Sequence, residues 1–124
     1  MDNNLDNQYV LRAIEAYPYE LERALEALNY ALSHNPENTT ALCLMAKLQH
    51  EQLSQYTIAK HYYQKAIAAD MDNPDIYPDY IRLLVNHGEY DEAEKLIVFA
   101  LKFKGTKKAS ILWKKRCRYI YIHL

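Results

Sequence analysis

The stretch covering residues 56–101 constrains the fold most, because one pattern of residues occurs in it twice. Small residues lie seven positions apart with a large apolar residue between them, which marks a helix face that packs closely on its neighbours. A helical pair repeated at this period cannot bury that face alone, so the pairs are predicted to stack. The repeated residues are Tyr56, Ala59, Tyr63 and Ala66, which recur 34 positions later as Tyr90, Ala93, Ile97 and Ala100.

The composition favours an all-α chain. Only two glycines and four prolines occur among 124 residues, which is little material for tight β-turns or phosphate-binding loops. The length suits one domain. The first seven residues lack the basic start and apolar core of a signal peptide, and no apolar run is long enough to span a membrane. A cytoplasmic location is therefore expected.

Apolar spacing and helix breakers predict seven helices. Asn38 is expected to cap the third helix, and Gly88 to follow the fifth in a left-handed conformation. Pro78 is tolerable only in a first turn, so the fifth helix is predicted to begin near Asp75. The apolar stripe of the first helix is predicted to consist of Val10, Ala13, Ile14 and Tyr17. The helices are predicted to end at Tyr17-Pro18 and near His34, Leu53 to Gln55, Ala69, Asn86, Phe103 and Ile122.

The first six helices form three copies of one pair. Ala24 and Ala31 stand 35 residues before Ala59 and Ala66. The third copy reads Tyr77-x2-Tyr80-Ile81-x2-Leu84, then Gly88, Tyr90 and Ala93-x3-Ile97-x2-Ala100. This pattern resembles the tetratricopeptide repeat (TPR) family, whose unit is two antiparallel helices of about 34 residues. Ile81 and Leu11 replace the small residue that the family has in its first helix.

The resemblance implies an all-α, right-handed α-solenoid that forms one domain over residues 1–124. Its three hairpins are expected at about residues 5–37, 38–73 and 74–105, followed by a capping helix at about residues 107–122. Such an array ends in an exposed apolar face, which a terminal helix with a polar outer side covers. Trp113 is predicted to anchor that helix.

Charge is distributed unevenly along the chain. Residues 1–100 hold all 16 acids and seven bases, whereas the residues from Leu101 onward hold eight bases and no acid, and the net charge is −1. The basic end is predicted to cap the array. Two alternatives stay open: contact with a second copy through Ile111 and Ile122, or binding to nucleic acid or an anionic surface. We rank nucleic acid last, because the acidic body opposes it.

No motif for catalysis, a metal or a cofactor occurs. The chain lacks the nucleophile-elbow, zinc-protease, P-loop and dinucleotide-binding patterns. No two of its five histidines are spaced as ligands on one helix turn, and Cys43 and Cys117 are too far apart in sequence to form a CxxC pair. The prediction is a protein that is not an enzyme and holds no cofactor and no metal.

The resemblance places the ligand groove on the first helix of each pair. Arg12, Lys47 and Arg82 stand at equivalent positions with spacings of 35 and 35, so a ladder of cations about 10 Å apart is predicted to face an acidic or amphipathic segment of another protein. The alternative is a solvated face whose bases bond to local acids such as Glu15, Glu51 and Asp79. The further residues predicted to line the groove are Tyr9, Leu44, Val85, Cys43, His50 and Asn86.

Three functions follow from these patterns. The leading prediction is an adaptor that binds a peptide or helix of a partner protein in the groove. The second is a chaperone for a secreted substrate. The third is binding to an anionic surface or nucleic acid through the basic C-terminal helix. The family's grip on acidic chaperone tails is not carried over, because Asp75 and Asp79 stand where its third copy needs bases.

Overall fold

A computed structural model of the chain describes residues 5–103. This part contains six α-helices, a short 3-10 helix and no strand, which confirms the all-α prediction. The helices pack in consecutive pairs: α1 with α2, α3 with α4, and α5 with α6. The predicted seventh helix, with Trp113, lies outside the described residues. The bounds are α1 Leu5–Ala16, α2 Leu21–His34, α3 Thr39–Glu51, α4 Tyr56–Asp70, a 3-10 helix Pro74–Ile76, α5 Tyr77–Asn86 and α6 Tyr90–Ala100.

The described helices fall into two compact units. The first unit ends at Met71 and contains α1 to α4, and the second begins at Asp72 and contains α5 and α6. In both units the alanines of the repeated pattern are fully inaccessible to solvent. Their small side chains let one helix approach the next closely. The buried alanines are Ala24, Ala31, Ala59, Ala66, Ala93 and Ala100.

The core of the first unit lies where α2 meets both α1 and α3. Leu28 of α2 and Met45 and Leu48 of α3 are each at most 1% exposed and belong to one apolar cluster with the alanines of α1 and α2. Burying each of these larger side chains stabilises the fold by about 1.5–3 kcal/mol. The cluster therefore holds three helices together.

A buried polar network ties the start of α1 to the start of α3. The Asn38 side-chain oxygen accepts a hydrogen bond from the Ala41 backbone N–H at 3.0 Å, which confirms the predicted cap. Its amide nitrogen donates to Asp6 at 2.7 Å and to Asn7 at 3.0 Å. Asn35 donates to the same Asp6 oxygen at 3.2 Å. Because the Asn38 amide stabilises the ionised carboxylate, it lowers the pKa of Asp6, and the Asn35 amide adds to this, although desolvation opposes it.

The second unit begins with the short 3-10 helix, and α5 follows it directly. The Asn73 side chain accepts from the Asp75 N–H at 2.9 Å and starts the 3-10 helix. Because α5 then begins at Tyr77, Pro78 falls in its first turn, where a missing N–H costs nothing. Gly88 follows α5 with a φ of +76°, as predicted, a conformation that glycine adopts without steric penalty.

The far end of the second unit is held by aromatic rings. Tyr77 of α5 lies 6.2 Å from the ring centroid of Phe99 and 6.2 Å from that of Phe103. The sixth helix ends at Ala100, three residues before the predicted end at Phe103. The backbone bonds there change to the tighter three-residue spacing, with Lys102 N–H donating to the Phe99 carbonyl at 3.2 Å. Phe103 thus reaches the cluster from a turn and not from the helix.

Candidate protein-interaction surface

The small buried residue of α1 is Ala13 and not Leu11. Ala13 is 0% exposed, whereas Leu11 is 60% exposed. A shift of 35 residues pairs Leu11 with the fully buried Ala46, while a shift of 33 pairs Ala13 with it. Two hydrogen bonds that connect α1 with the ends of α3 span 32 and 34 residues, Asn38 to Asp6 and Tyr17 to Glu51. At the predicted shift of 35, however, three of the four buried residues of α1, Asp6, Val10 and Ala13, fall on buried residues of α3, Ala41, Met45 and Leu48. The shift of 35 therefore describes most of the correspondence between α1 and α3, and Leu11 departs from it.

Much of α1 is exposed because fewer of the described helices pack against it. The side of α3 that packs against the first hairpin contains Leu44, Met45 and Leu48. On α1, Leu11, Arg12 and Glu15 are all exposed. The reason is that α3 packs against α1 and α2, whereas no helix precedes α1 in the described part of the chain.

The exposure of Ile14 contradicts the apolar stripe predicted for α1. The sequence pattern places it in the core with Val10 and Ala13, but its side chain is 49% exposed. At 100° per residue, Ile14 lies about 100° around the helix from Ala13, away from the side that contacts α2. Tyr17 follows Ile14 by one helical turn, and its ring lies 6.0 Å from the Lys47 ammonium of α3. The exposed Ile14 and the half-buried Lys47 therefore both lie beside Tyr17.

Arg12 lies between α1 and α2. Its guanidinium carbon is 5.1 Å from the centroid of the Tyr9 ring. The Tyr9 ring itself stacks on Tyr30 of α2 at 5.1 Å and on His34 at 6.2 Å. A cleft of about 270 Å³ opens here, lined by Tyr9, Arg12, Arg23, Glu26, Ala27 and Tyr30.

Lys47 has different surroundings, at the contact between α1 and α3. Its ammonium nitrogen is 6.0 Å from the centroid of the Tyr17 ring, and the Tyr17 hydroxyl donates to Glu51 at 2.7 Å. Leu44 is half-buried and packs against the apolar cluster of the first unit. Cys43 and His50 are half-buried on the same helix. Arg12 and Lys47 therefore face different neighbours within this unit.

Arg82 belongs to the second unit and forms an ion pair with Asp79 of the same helix. This pair is one of those expected if the bases bond to local acids. Val85 is half-buried and Asn86 is exposed. That Arg12, Lys47 and Arg82 together bind an acidic ligand stays a prediction, as do the roles of the other residues assigned to the groove.

Two structural features are absent from residues 5–103. This part of the chain contains no group of three or more histidine, cysteine, aspartate or glutamate residues arranged to hold a metal ion. Nor does it contain a helix with the length and apolar character needed to cross a membrane.

Exposed apolar residues on α1 are what sequence reasoning missed. Leu11 and Ile14 both read as core residues, because α1 carries apolar side chains around most of its circumference. The available signal was alanine: Ala13 and Ala16 are the only small residues of the helix, and both are buried. A helix that packs closely on its partner turns its small residues toward it.

Comparison with known proteins agrees with this architecture. Residues 52–98 match the sequence model of the tetratricopeptide repeat. The chain is 28% identical to protein crooked neck of Drosophila melanogaster over 112 residues, which are 83% of this chain and 16% of the fly protein. The chain thus spans about a sixth of that relative's length.

Two solved structures share the fold over nearly all of the chain. The first TPR of Spaghetti (RPAP3), bound to the HSP90 peptide SRMEEVD, has a TM-score of 0.83 and 11% identity, with 98% of this chain and 99% of that one covered. The Yersinia enterocolitica type III secretion chaperone SycD, in complex with a peptide of the translocator YopD, has a TM-score of 0.78 and 15% identity, with 93% of both chains covered. The chain therefore contains tetratricopeptide repeat sequence over residues 52–98 and has the all-α fold of tetratricopeptide repeat domains.

Proposed function

We propose that the chain is a non-enzymatic interaction module, an adaptor that binds a peptide or helix of a partner protein on the exposed side of α1 and α3. Two proteins that share its fold support this, since each was solved with a peptide of another protein. No part of the proposal requires a cofactor or a metal.

The observation that carries the proposal is that Ile14 and Lys47 both lie beside Tyr17. Ile14 precedes Tyr17 by one helical turn, and the Lys47 ammonium is 6.0 Å from the centroid of the Tyr17 ring, which adds an aromatic surface. The chemistry fits a segment that presents an apolar side chain to α1 and a carboxylate to α3, which is an amphipathic segment with an acidic residue.

Ile14 and Lys47 are expected to contribute differently to the free energy of binding. An ion pair at the half-buried Lys47 contributes about 0.2–1 kcal/mol. Because Ile14 is 49% exposed, covering it contributes about 0.7–1.5 kcal/mol, half of the value for a fully exposed side chain. Micromolar affinity needs about 8 kcal/mol. The base therefore orients the ligand, and most of the affinity comes from apolar contacts along the segment.

The test is a comparative pull-down from native lysate with quantitative mass spectrometry. The variant Ile14→Asp with Lys47→Glu is expected to lose the partners that the wild type captures. The matched control is Ile58→Asp with Lys65→Glu on α4, where Ile58 is 43% exposed and Lys65 is also exposed. The control should retain them. Equal capture by the wild type and the first variant would exclude the α1 and α3 surface as the binding site.

Single substitutions then separate the predicted ladder from this surface. Because Arg12 lies in the cleft between α1 and α2, Arg12→Glu is expected to leave the affinity for a captured partner unchanged. Lys47→Glu is expected to weaken it by about 1.4- to 5-fold, the equivalent of one exposed ion pair. Equal losses for Arg12, Lys47 and Arg82, measured by isothermal titration, would instead support the cationic ladder.

A second candidate is a chaperone for a secreted protein. The observation that favours it is the likeness to SycD, which covers nearly the whole of both chains. Coexpression with an exported protein encoded beside this chain is expected to yield a soluble complex that Ile14→Asp with Lys47→Glu breaks. An exported protein that stays equally soluble without this chain would remove this candidate.

A further inference from the structure

The first hairpin has an outer face that no described residue covers. We call it the first-hairpin face and define it by Leu11, Arg12 and Glu15 of α1 and by Arg23, Glu26 and Tyr30 of α2, all of them exposed. Four of these residues, Arg12, Arg23, Glu26 and Tyr30, line the 270 Å³ cleft between the two helices. Leu11 and Glu15 flank Arg12 on the surface of α1.

The apolar part of this face consists of one large side chain from each helix. Leu11 is 60% exposed and Tyr30 is 49% exposed. Leu44, on the first helix of the next hairpin, packs instead against the apolar cluster of the first unit. The face therefore has a leucine and an aromatic ring that a second copy could cover.

The charges on the face match those of an identical face. Arg12 and Arg23 carry two positive charges, and Glu15 and Glu26 carry two negative charges. Arg23 also bonds to Glu20 at 2.9 Å, but this pair is well exposed, with side chains 75% and 52% accessible, and so exchanges easily. Because positive and negative charges are equal in number on this face, a strongly charged partner would gain little electrostatic attraction from it. A twofold axis, in contrast, brings the arginines of one copy opposite the glutamates of the other.

We propose that two copies of this chain associate through the first-hairpin face. Leu11 and Tyr30 form the apolar centre of the interface, and Arg12 and Arg23 of one copy face the glutamates of the other. This face adjoins the surface proposed to bind a partner segment, because Leu11 and Ile14 are one helical turn apart on α1, but its four charged residues do not belong to that surface. The sequence also predicts a contact between copies through the C-terminal helix. That contact involves residues outside the described part of the chain, so variants of the first-hairpin face test the present proposal independently of it.

The test uses two charge-reversal variants of the full chain. Arg12→Glu with Arg23→Glu makes the four charges of the face all negative, and Glu15→Arg with Glu26→Arg makes them all positive. We expect the wild type to be a dimer by sedimentation equilibrium between about 1 μM and about 1 mM. Each variant alone is expected to have a dimer dissociation constant at least about 10-fold higher, because like charges meet. Mixed in equal amounts, the two variants should form a heterodimer.

The mixing experiment also answers the objection that a variant has simply unfolded, because an unfolded chain is not rescued by its opposite. Circular dichroism checks the helix content of each. The control Lys60→Glu with Lys65→Glu changes the net charge equally, but on α4, and should remain dimeric. A wild type that is monomeric at about 1 mM, or a mixture that stays monomeric, overturns the proposal. So does growth into open chains, which would mean that the face meets a different surface.

Discussion

The helices α1 and α3 occupy equivalent places in consecutive hairpins, yet α3 buries three large apolar side chains, Leu42, Met45 and Leu48, whereas α1 buries one, Val10. Helix α3 is covered by α1 and α2 on one side and pairs with α4, and five of its 13 residues are buried. Helix α1 pairs with α2 and contacts α3, and four of its 12 residues are buried. The difference teaches that neighbours, and not only the helix's own sequence, decide which apolar residues enter the core. It also places Leu11 and Ile14, both apolar, where a ligand or a second copy can reach them.

The largest expected effect contrasts a buried residue of α3, Met45, with an exposed residue of α1, Arg12. Met45→Ala removes a side chain that is 1% exposed and leaves a cavity, so the free energy of unfolding is expected to fall by about 2–5 kcal/mol. Arg12→Ala is expected to change it by less than about 0.5 kcal/mol, since Arg12 is exposed. Urea denaturation followed by circular dichroism measures both. Equal losses would mean that α1 is as covered as α3.

The next effect tests the register of α1 directly. Ala13→Leu places three extra carbon atoms at a fully buried position and is expected to destabilise the fold by about 1–3 kcal/mol. Leu11→Ala, two residues away, should cost less than about 0.5 kcal/mol. Thermal unfolding of the two variants tests which of these residues of α1 lies in the core. A reversed order, with Leu11→Ala the more damaging, would mean that Leu11 and not Ala13 is buried.

Much of the fold follows from the sequence because its signals are local. The alanines spaced seven apart predict the close contacts, since only small side chains permit them, and Asn38 predicts the start of α3 through its cap. The register of α1 does not follow in this way. Val10 and Ile14 are equally apolar, and only the positions of α2 and α3 determine that Val10 is buried at 4% exposure while Ile14 is not.

The end of α6 and the candidate surface show the same limit. Leu101 and Phe103 continue the apolar pattern of the helix, but the backbone turns after Ala100 and Phe103 contacts Tyr77 from that turn. For the surface, the sequence predicted Lys47 from the repeat spacing, whereas the exposure of Ile14 depends on how α1 is rotated about its axis. The spacing of residues can be read from the sequence, but the solvent exposure of each residue depends on how the helices pack.

A smaller effect is expected at Asn38, which connects the two helices under comparison. Asn38→Ala removes the cap of α3 and the bonds to Asp6 and Asn7, and loss of a cap costs about 0.5–2 kcal/mol. Asn38→Asp keeps the cap oxygen but places a second carboxylate beside Asp6. We expect both variants to be less stable than the wild type at neutral pH, as measured by urea denaturation. A wild-type value for Asn38→Asp would show that Asp6 and Asn38 do not interact.

The last prediction concerns the dependence of that connection on pH. The pKa of Asp6 is lowered in the folded chain, chiefly by the hydrogen bond from Asn38. A carboxyl whose pKa is lowered on folding stabilises the fold above its unfolded pKa, and this contribution disappears as the pH falls through the folded pKa. Asp6→Asn cannot ionise, so the difference in unfolding free energy between it and the wild type should shrink as the pH falls from about 5 to about 2. A difference that stays constant over that range would mean that the charge of Asp6 does not stabilise the contact between α1 and α3.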